Sequence, residues 1–173
     1  MSSGSVESRI VFKGHFRVRQ DIVIQPNGAV KTRDIVEYPD AVAVIAIDEN
    51  GDIILERQYR HAAGRELIEI PAGGIDPGET PEEAVVREMR EETGYLPRRV
   101  ERLTSFYSAP GYSTEVLHVF LATDLVEDRL TAEDSDEISL LRVTSAEAQR
   151  MISDGTIRDG KSIAGLLYYL NMK

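Results

Sequence analysis

The stretch GGIDPGETPEEAVVREMREETGY, residues 73–95, decides how the rest of the chain is read. Its ends are well marked. Thr80 is a natural N-cap, Pro81 takes the first helical position and Glu83 completes a capping box, while Gly94 suits the place just past a helix end. These signals predict a helix over 81–93. Val85, Val86 and Met89, with Ala84 at the border, form its apolar stripe. The opposite side is unusual. Glu88 and Glu92 are four residues apart and share one face, with Glu91 at its edge. A like-charged pair at that spacing costs about 0.2–0.5 kcal/mol, so this face is not arranged for helix stability. Carboxylates converging from one helix make a hard-oxygen site of the kind magnesium or manganese takes. The plainer alternative is a solvated face in which Arg87 and Arg90 pair with Glu83 or Glu91.

The whole chain narrows the choice. Its 173 residues suit one domain, or one domain with a small appendage, and 42% hydrophobic residues are enough for a sizeable core. With no Cys, thiolate nucleophiles, disulfides and Cys-based zinc sites are excluded. His15, His61 and His118 are scattered, so a metal here must be held by oxygen. Acids exceed bases, 30 against 20, for a net charge of −10. Such a chain is a poor partner for nucleic acid or an anionic membrane, and it would repel a phosphorylated small molecule unless a cation intervened. No apolar run is long enough to span a membrane, and the start has no basic-then-apolar leader. A cytoplasmic location is expected.

Along the chain, VRQDIVIQ (18–25) and AVKTRDIVEY (29–38) flank Asn27-Gly28 and predict a hairpin. AVAVIAI (41–47) reads as a buried strand, followed by strands in DIILERQYR (52–60) and RELIEIP (65–71). Further strands are expected at about 99–106, 116–122 and 138–143, and two helices at 145–153 and 162–172. The loops are SAPGYSTE (108–115) and the acidic VEDRLTAEDSDE (126–137). Strands, one helix, strands and two helices give an α+β fold, a mixed α/β sandwich with the sheet between helices.

The opening stretch also carries a known pattern, G-x5-E-x7-R-E-U-x-E-E-x-G-U with U apolar. Gly73, Glu79, Arg87, Glu88, Met89, Glu91, Glu92 and Gly94 fill it, and Tyr95 is a softer choice at the last apolar place. The chain thereby resembles the Nudix hydrolases, which cleave nucleoside diphosphates linked to another moiety with a divalent metal. The resemblance implies a Nudix domain over 41–173 and an N-terminal region, 1–40, forming an antiparallel hairpin or small sheet that dimerises and contacts the substrate base. It implies two or more magnesium ions, with manganese as a substitute, held by Glu88, Glu92, Glu91 and the backbone carbonyl of Ala72. Arg87 is expected to orient the carboxylates, and Glu79 to support the loop–helix junction. The cations would offset carboxylate repulsion, polarise phosphoryl oxygens and activate water.

Outside the box, QYRHAAGRE (58–66), RELIEIPAGGID (65–76), SFYSAPGYSTE (105–115) and IRDGKSIAGLLYYL (157–170) resemble the ADP-ribose pyrophosphatase group. Pro110 stands fifteen residues beyond Tyr95, a spacing similar to that group's, and is followed by Gly111. The resemblance implies that Arg60 holds a phosphate or ribose and that Glu66 and Glu69 help bind substrate or metal. It implies a homodimer in which Phe16 stacks on adenine in the partner's site, with Arg33 and Glu37 reaching across. As sequence alone, Phe16 and Tyr38 read equally as core aromatics. The general base in that group comes from an acidic loop after the box, which here offers Glu133, Asp134, Asp136 and Glu137; Glu91 competes with them. Asp134 and Asp136 stand where the group's pattern leads one to expect glutamate. The expected reaction is metal-dependent hydrolysis of ADP-ribose to AMP and ribose 5-phosphate. Another nucleotide sugar such as GDP-mannose is the alternative substrate. A non-catalytic nucleotide-binding regulator on the same fold is a further alternative, which the complete set Glu88, Glu91 and Glu92 disfavours.

Overall fold

The computed structural model describes residues 5–131 and 138–172. The chain gathers into two compact units, Met1–Asp40 with Phe106–Val116, and Ala41–Ser105 with Leu117–Lys173.

The first unit is a three-stranded antiparallel sheet, β1 (Ser5–Lys13), β2 (Arg17–Ile24) and β3 (Val30–Glu37). The β2–β3 hairpin turns where Asn27-Gly28 predicts it, with Gly28 at φ 82°. The third strand, β1, was not expected. SVESRIVFK has neither strict alternation nor turn residues to announce a strand, and its partner supplies the specification: Ser8 Oγ donates to Asp21 at 2.6 Å across the register pair Ser8↔Asp21. A two-stranded ribbon is marginal alone, and a third strand adds a ladder. Residues 106–116 bond to the end of β3, Val36 N donating to Tyr112 O at 2.7 Å and Thr114 N to Val36 O at 3.0 Å.

The second unit holds a mixed sheet in the order β10 (Ser139–Val143), β5 (Ile53–Arg60), β4 (Ala41–Ile47), β9 (Val116–Glu127) and β8 (Tyr95–Tyr107). β6 (Arg65–Glu69) pairs with β5 and the short β7 (Ala72–Gly74) with β4; β4 and β9 run parallel. β4 is buried on both faces, hence its unbroken apolar run. Val42, Val44 and Ala46 pack with Ala84, Val85 and Met89 of the first helix and with Phe120. On the other face α3 (Gly160–Leu170) closes in at Gly165, where an added Cβ would stand 3.1 Å from Ile70 and 3.5 Å from Ile45.

The first helix, α1 (Pro81–Glu88), has the expected capping box at Thr80. The helical path runs on to Thr93, but its last stretch, Met89–Thr93, widens into a π-helical turn, with the Thr93 hydroxyl donating to Met89 O and Gly94 at φ 80°. Such π-turns recur at functional sites. β8 starts directly after Gly94, earlier than expected, and β9 extends through Glu127 into the stretch read as a loop. α2 (Ser145–Ser153) carries a second capping box, Thr144 with Glu147. α3 begins two residues before Ser162 because Asp159 caps it, accepting from Ser162 N at 2.9 Å.

Candidate active site

The centre of the site is Arg87. Its Nε and Nη2 each reach Glu79 at 2.9 Å, Nη2 also reaches Gly74 O at 2.7 Å, and Nη1 reaches Glu88 at 2.6 Å and Glu91 at 3.1 Å. Five bonds use the full donor set of a guanidinium, so this side chain is an internal fastener between the loop and two carboxylates. Hydrogen bonds from Arg87 hold Glu79 below the ordinary carboxylate range. Glu88 goes the other way: burial pushes it up, and the Arg87 contact only partly opposes that.

β7 supplies the floor. A Cβ on Gly73 would lie 2.0 Å from the Glu88 carboxyl carbon, so only a bare backbone lets that carboxylate settle there. Next to it, Ala72 N donates to Glu92 at 2.9 Å. The box thus brings together Ala72, Glu88 and Glu92, and Arg87 draws in Glu91.

A second set of groups comes from β5, where Glu56, Gln58 and Arg60 alternate onto one face. Glu56 stands opposite Glu69 in the β5–β6 register, and the two are 2% and 1% exposed. Arg60 makes two bonds to Glu69, at 2.9 and 2.7 Å. Lys161, at the start of α3, bonds both Glu69 and Asp159. Burial pushes Glu69 up, but the Arg60 bonds and the Lys161 charge outweigh it, and it sits below the ordinary value. Glu56 has no such fork. Burial lifts it to about 7, against the pull of the Lys161 charge and with a push from Glu69. Glu92 is raised well above the ordinary value by burial and then by the charges of Glu56 and Glu88.

This is a donor set suited to a hard cation. Among the described residues, no three carboxylates or imidazoles already stand in ligating geometry. Even so, Glu56 Oε1 is a buried acceptor without a hydrogen-bond partner, and Glu56, Glu88 and Glu92 are acids whose charged forms the protein alone disfavours. Oxygen ligands, excess negative charge and an orphaned acceptor fit a divalent ion of the magnesium class.

The remaining expected residues lie elsewhere. Glu66 is exposed and stands 3.8 Å from Arg57, away from Glu69's fork. Phe16, Arg33, Glu37, Pro110 and Gly111 belong to the first unit. There Phe16 packs on Phe12 and Tyr38, with ring centroids 5.5 and 6.0 Å apart, and Glu37 pairs with Arg17 and Arg19. His15, Phe16, Arg17, Glu37, Tyr38, Pro39 and Thr114 line a cavity of about 390 Å³. Pro110 and Gly111 are exposed, and Arg33 lies opposite Asp21 in the register. Glu133, Asp134, Asp136 and Glu137 lie outside the described residues. Sequence reasoning missed Glu56, Asp159 and Lys161. Glu56 carried one usable signal: it follows Ile53-Ile54-Leu55, a strand start buried on both faces, and shares the period-2 face of Arg60.

The NUDIX domain family matches residues 37–166. The chain belongs to the Nudix family. Among curated proteins, it is 37% identical to the ADP-ribose pyrophosphatase of Bacillus subtilis over 150 residues, covering 86% of this chain and 80% of that protein. It is 36% identical over 167 residues to the methanol dehydrogenase activator of Bacillus methanolicus, covering 95% and 90%. It is 30% identical over 178 residues to the GDP-mannose pyrophosphatase of Yersinia enterocolitica, covering 95% and 93%. A crystal structure of an ADP compounds hydrolase has the same fold, with a TM-score of 0.91 at 22% identity, covering 99% of this chain and 94% of that one. In this Nudix chain the box residues divide the labour as their contacts imply: Glu79 and Arg87 brace, while Glu88 and Glu92 present buried oxygens.

Proposed function

We propose that this protein is a Nudix pyrophosphatase that hydrolyses ADP-ribose to AMP and ribose 5-phosphate with magnesium, or with manganese in its place. The observation that carries this reading is the buried carboxylate cluster around Ala72, whose excess negative charge calls for cations and so for a substrate that brings phosphates. Ala72 O, Glu88, Glu91 and Glu92 would hold two or more ions. When bound, such ions neutralise the diphosphate, stabilise the charge that develops on its oxygens and activate water. The chain's own residues do the rest. Arg87 keeps Glu88 and Glu91 in place, and Arg60, oriented by Glu69, offers a guanidinium edge to a phosphate or ribose. Glu133, Asp134, Asp136 or Glu137 serves as base, with Glu91 as competitor; whichever acts must come within hydrogen-bond reach of the attacking water.

The proposal extends to the assembly and its setting: a cytoplasmic homodimer joined through the β1–β3 sheet, with Phe16, Arg33 and Glu37 presented to the substrate base. Ile10, Val11 and Phe12 on that sheet's edge strand β1 are each 48–50% exposed. None of the described helices is long and apolar enough to cross a membrane.

The test is a panel of ADP-ribose, GDP-mannose, NADH and diadenosine polyphosphates with magnesium, products resolved by chromatography. ADP-ribose is expected to give the highest kcat/KM. If another member is cleaved more than about tenfold better, a gap of about 1.4 kcal/mol in transition-state binding, the substrate assignment fails and the reaction class stands. GDP-mannose is the second reading, supported by the likeness to the Yersinia protein. The methanol dehydrogenase activator is a relative named for a regulatory role. A purely regulatory reading would be favoured by the absence of any turnover across the panel.

A further inference from the structure

Glu56 is outside the Nudix box and has no role so far. It sits on β5, 2% exposed, with Glu69 opposite it in the register and the Glu92 carboxyl within hydrogen-bonding reach. Among the described residues no donor reaches its Oε1. The cationic groups beside it are already engaged: Arg60 forks onto Glu69, and Lys161 bonds Glu69 and Asp159. A buried acceptor left without a partner is destabilising, the more so when it is charged.

The choice of residue is informative. Glutamine at this position would have nearly the same shape. Its amide would donate to the Glu92 carboxylate and remove the repulsion. The chain instead places a second carboxylate against Glu92, which only a shared proton or a shared cation can reconcile. A magnesium site is commonly built from one or two carboxylates, with water and substrate phosphate completing the shell.

We propose that Glu56 is an additional metal ligand: its Oε1 binds a divalent ion shared with Glu92, so that β5 contributes one carboxylate and the Nudix helix the other. This rests on the metal-dependent reading given above. The placement also has a structural logic. Glu56 is anchored in a central strand and enclosed on all sides, so it meets the ion with little conformational freedom to lose.

The experiment is Mn2+ binding to the full chain, followed by the electron paramagnetic resonance of free Mn2+ and by calorimetry, for the wild type, Glu56→Gln and Glu92→Gln. Melting of each metal-free protein is recorded alongside. Glu56→Gln is expected to weaken Mn2+ binding by tenfold or more, at or above the lower end of what even an outer-shell partner of a metal contributes. Its metal-free melting temperature should not fall. Weakening of less than tenfold overturns the proposal. So does a loss of binding accompanied by a drop in metal-free melting of more than about 4 °C, which would mark a structural role. If Glu56→Gln does not fold, Glu56→Leu, similar in volume, is read by the same criteria. Wild type that binds Mn2+ while Glu56→Gln matches it defeats the Glu56 role alone. Wild type that binds no Mn2+ defeats the metal reading with it.

Discussion

Arg87 and Glu92 show how differently two residues of one helix can serve a site. Arg87 spends its donors inward, on Glu79, Gly74, Glu88 and Glu91, and stabilises what is already folded. Glu92 does the opposite, since burial and the neighbouring Glu56 and Glu88 make its charge unfavourable in the protein alone. Glu92→Gln should therefore leave metal-free melting at pH 7 unchanged or higher, while turnover falls by about 100-fold or more, the scale of losing one electrostatic stabiliser. Wild-type-like turnover in that variant would sink the role assigned to Glu92 and with it the metal-site reading of the box. Glu69 gives the pH dependence. Its folded-state pKa lies below the ordinary 4.5, so the folded protein holds its proton less tightly than the unfolded chain. The stability from its contacts with Arg60 and Lys161 is then complete above that value and is lost as the pH falls through the folded one. Urea unfolding of wild type and Glu69→Gln should differ most at neutral pH and converge in acid. A difference that widens toward acid would contradict this account.

Among the elements, the turn of β7 under α1 is the most constrained. Gly73→Ala forces a methyl to within 2.0 Å of the Glu88 carboxyl. Activity should drop at least tenfold, while circular dichroism stays that of the wild type. An active Gly73→Ala enzyme would mean that Glu88 is free to relocate, and hence that its position does not matter. Much of this region was legible in the sequence, because its signals are local. Thr80, Pro81, Glu83 and Gly94 state the helix ends by themselves, and the spacing of Glu88 and Glu92 states a shared face. What was not legible depends on partners distant in the chain. β1 is a strand because β2 receives it, and the widening at Met89–Thr93 is a hydrogen-bond shift that no residue type announces. Glu56 lies within the expected strand DIILERQYR with little local to mark it, and only the packing of Glu92 and Glu69 around it reveals a buried acid. Lys161 and Asp159 became part of the site through the start of α3, a full 92 residues beyond Glu69 in the case of Lys161.

At the scale of the molecule, Ile10, Val11 and Phe12, each about half exposed on the edge strand β1, support the dimer proposal, since an open edge strand is a ready template for pairing with another chain. Light scattering at micromolar concentration should give twice the 19.3 kDa chain mass, and Val11→Lys should shift it toward one. A wild type that stays monomeric would refute the assembly without touching the chemistry. A different consequence follows from how the chain is threaded. It passes from one unit to the other after Asp40, returns at Phe106 and leaves again after Val116. Residues 106–116 bond to Val36 of β3 and to Tyr38 just after it, so the first unit is assembled from two separate stretches of the chain. A single genetic crossover between relatives therefore cannot exchange either unit whole. A hybrid joined at residue 40 would pair one parent's β3 with the other parent's 106–116 excursion, and only parents matched at that seam would yield a folded chimera.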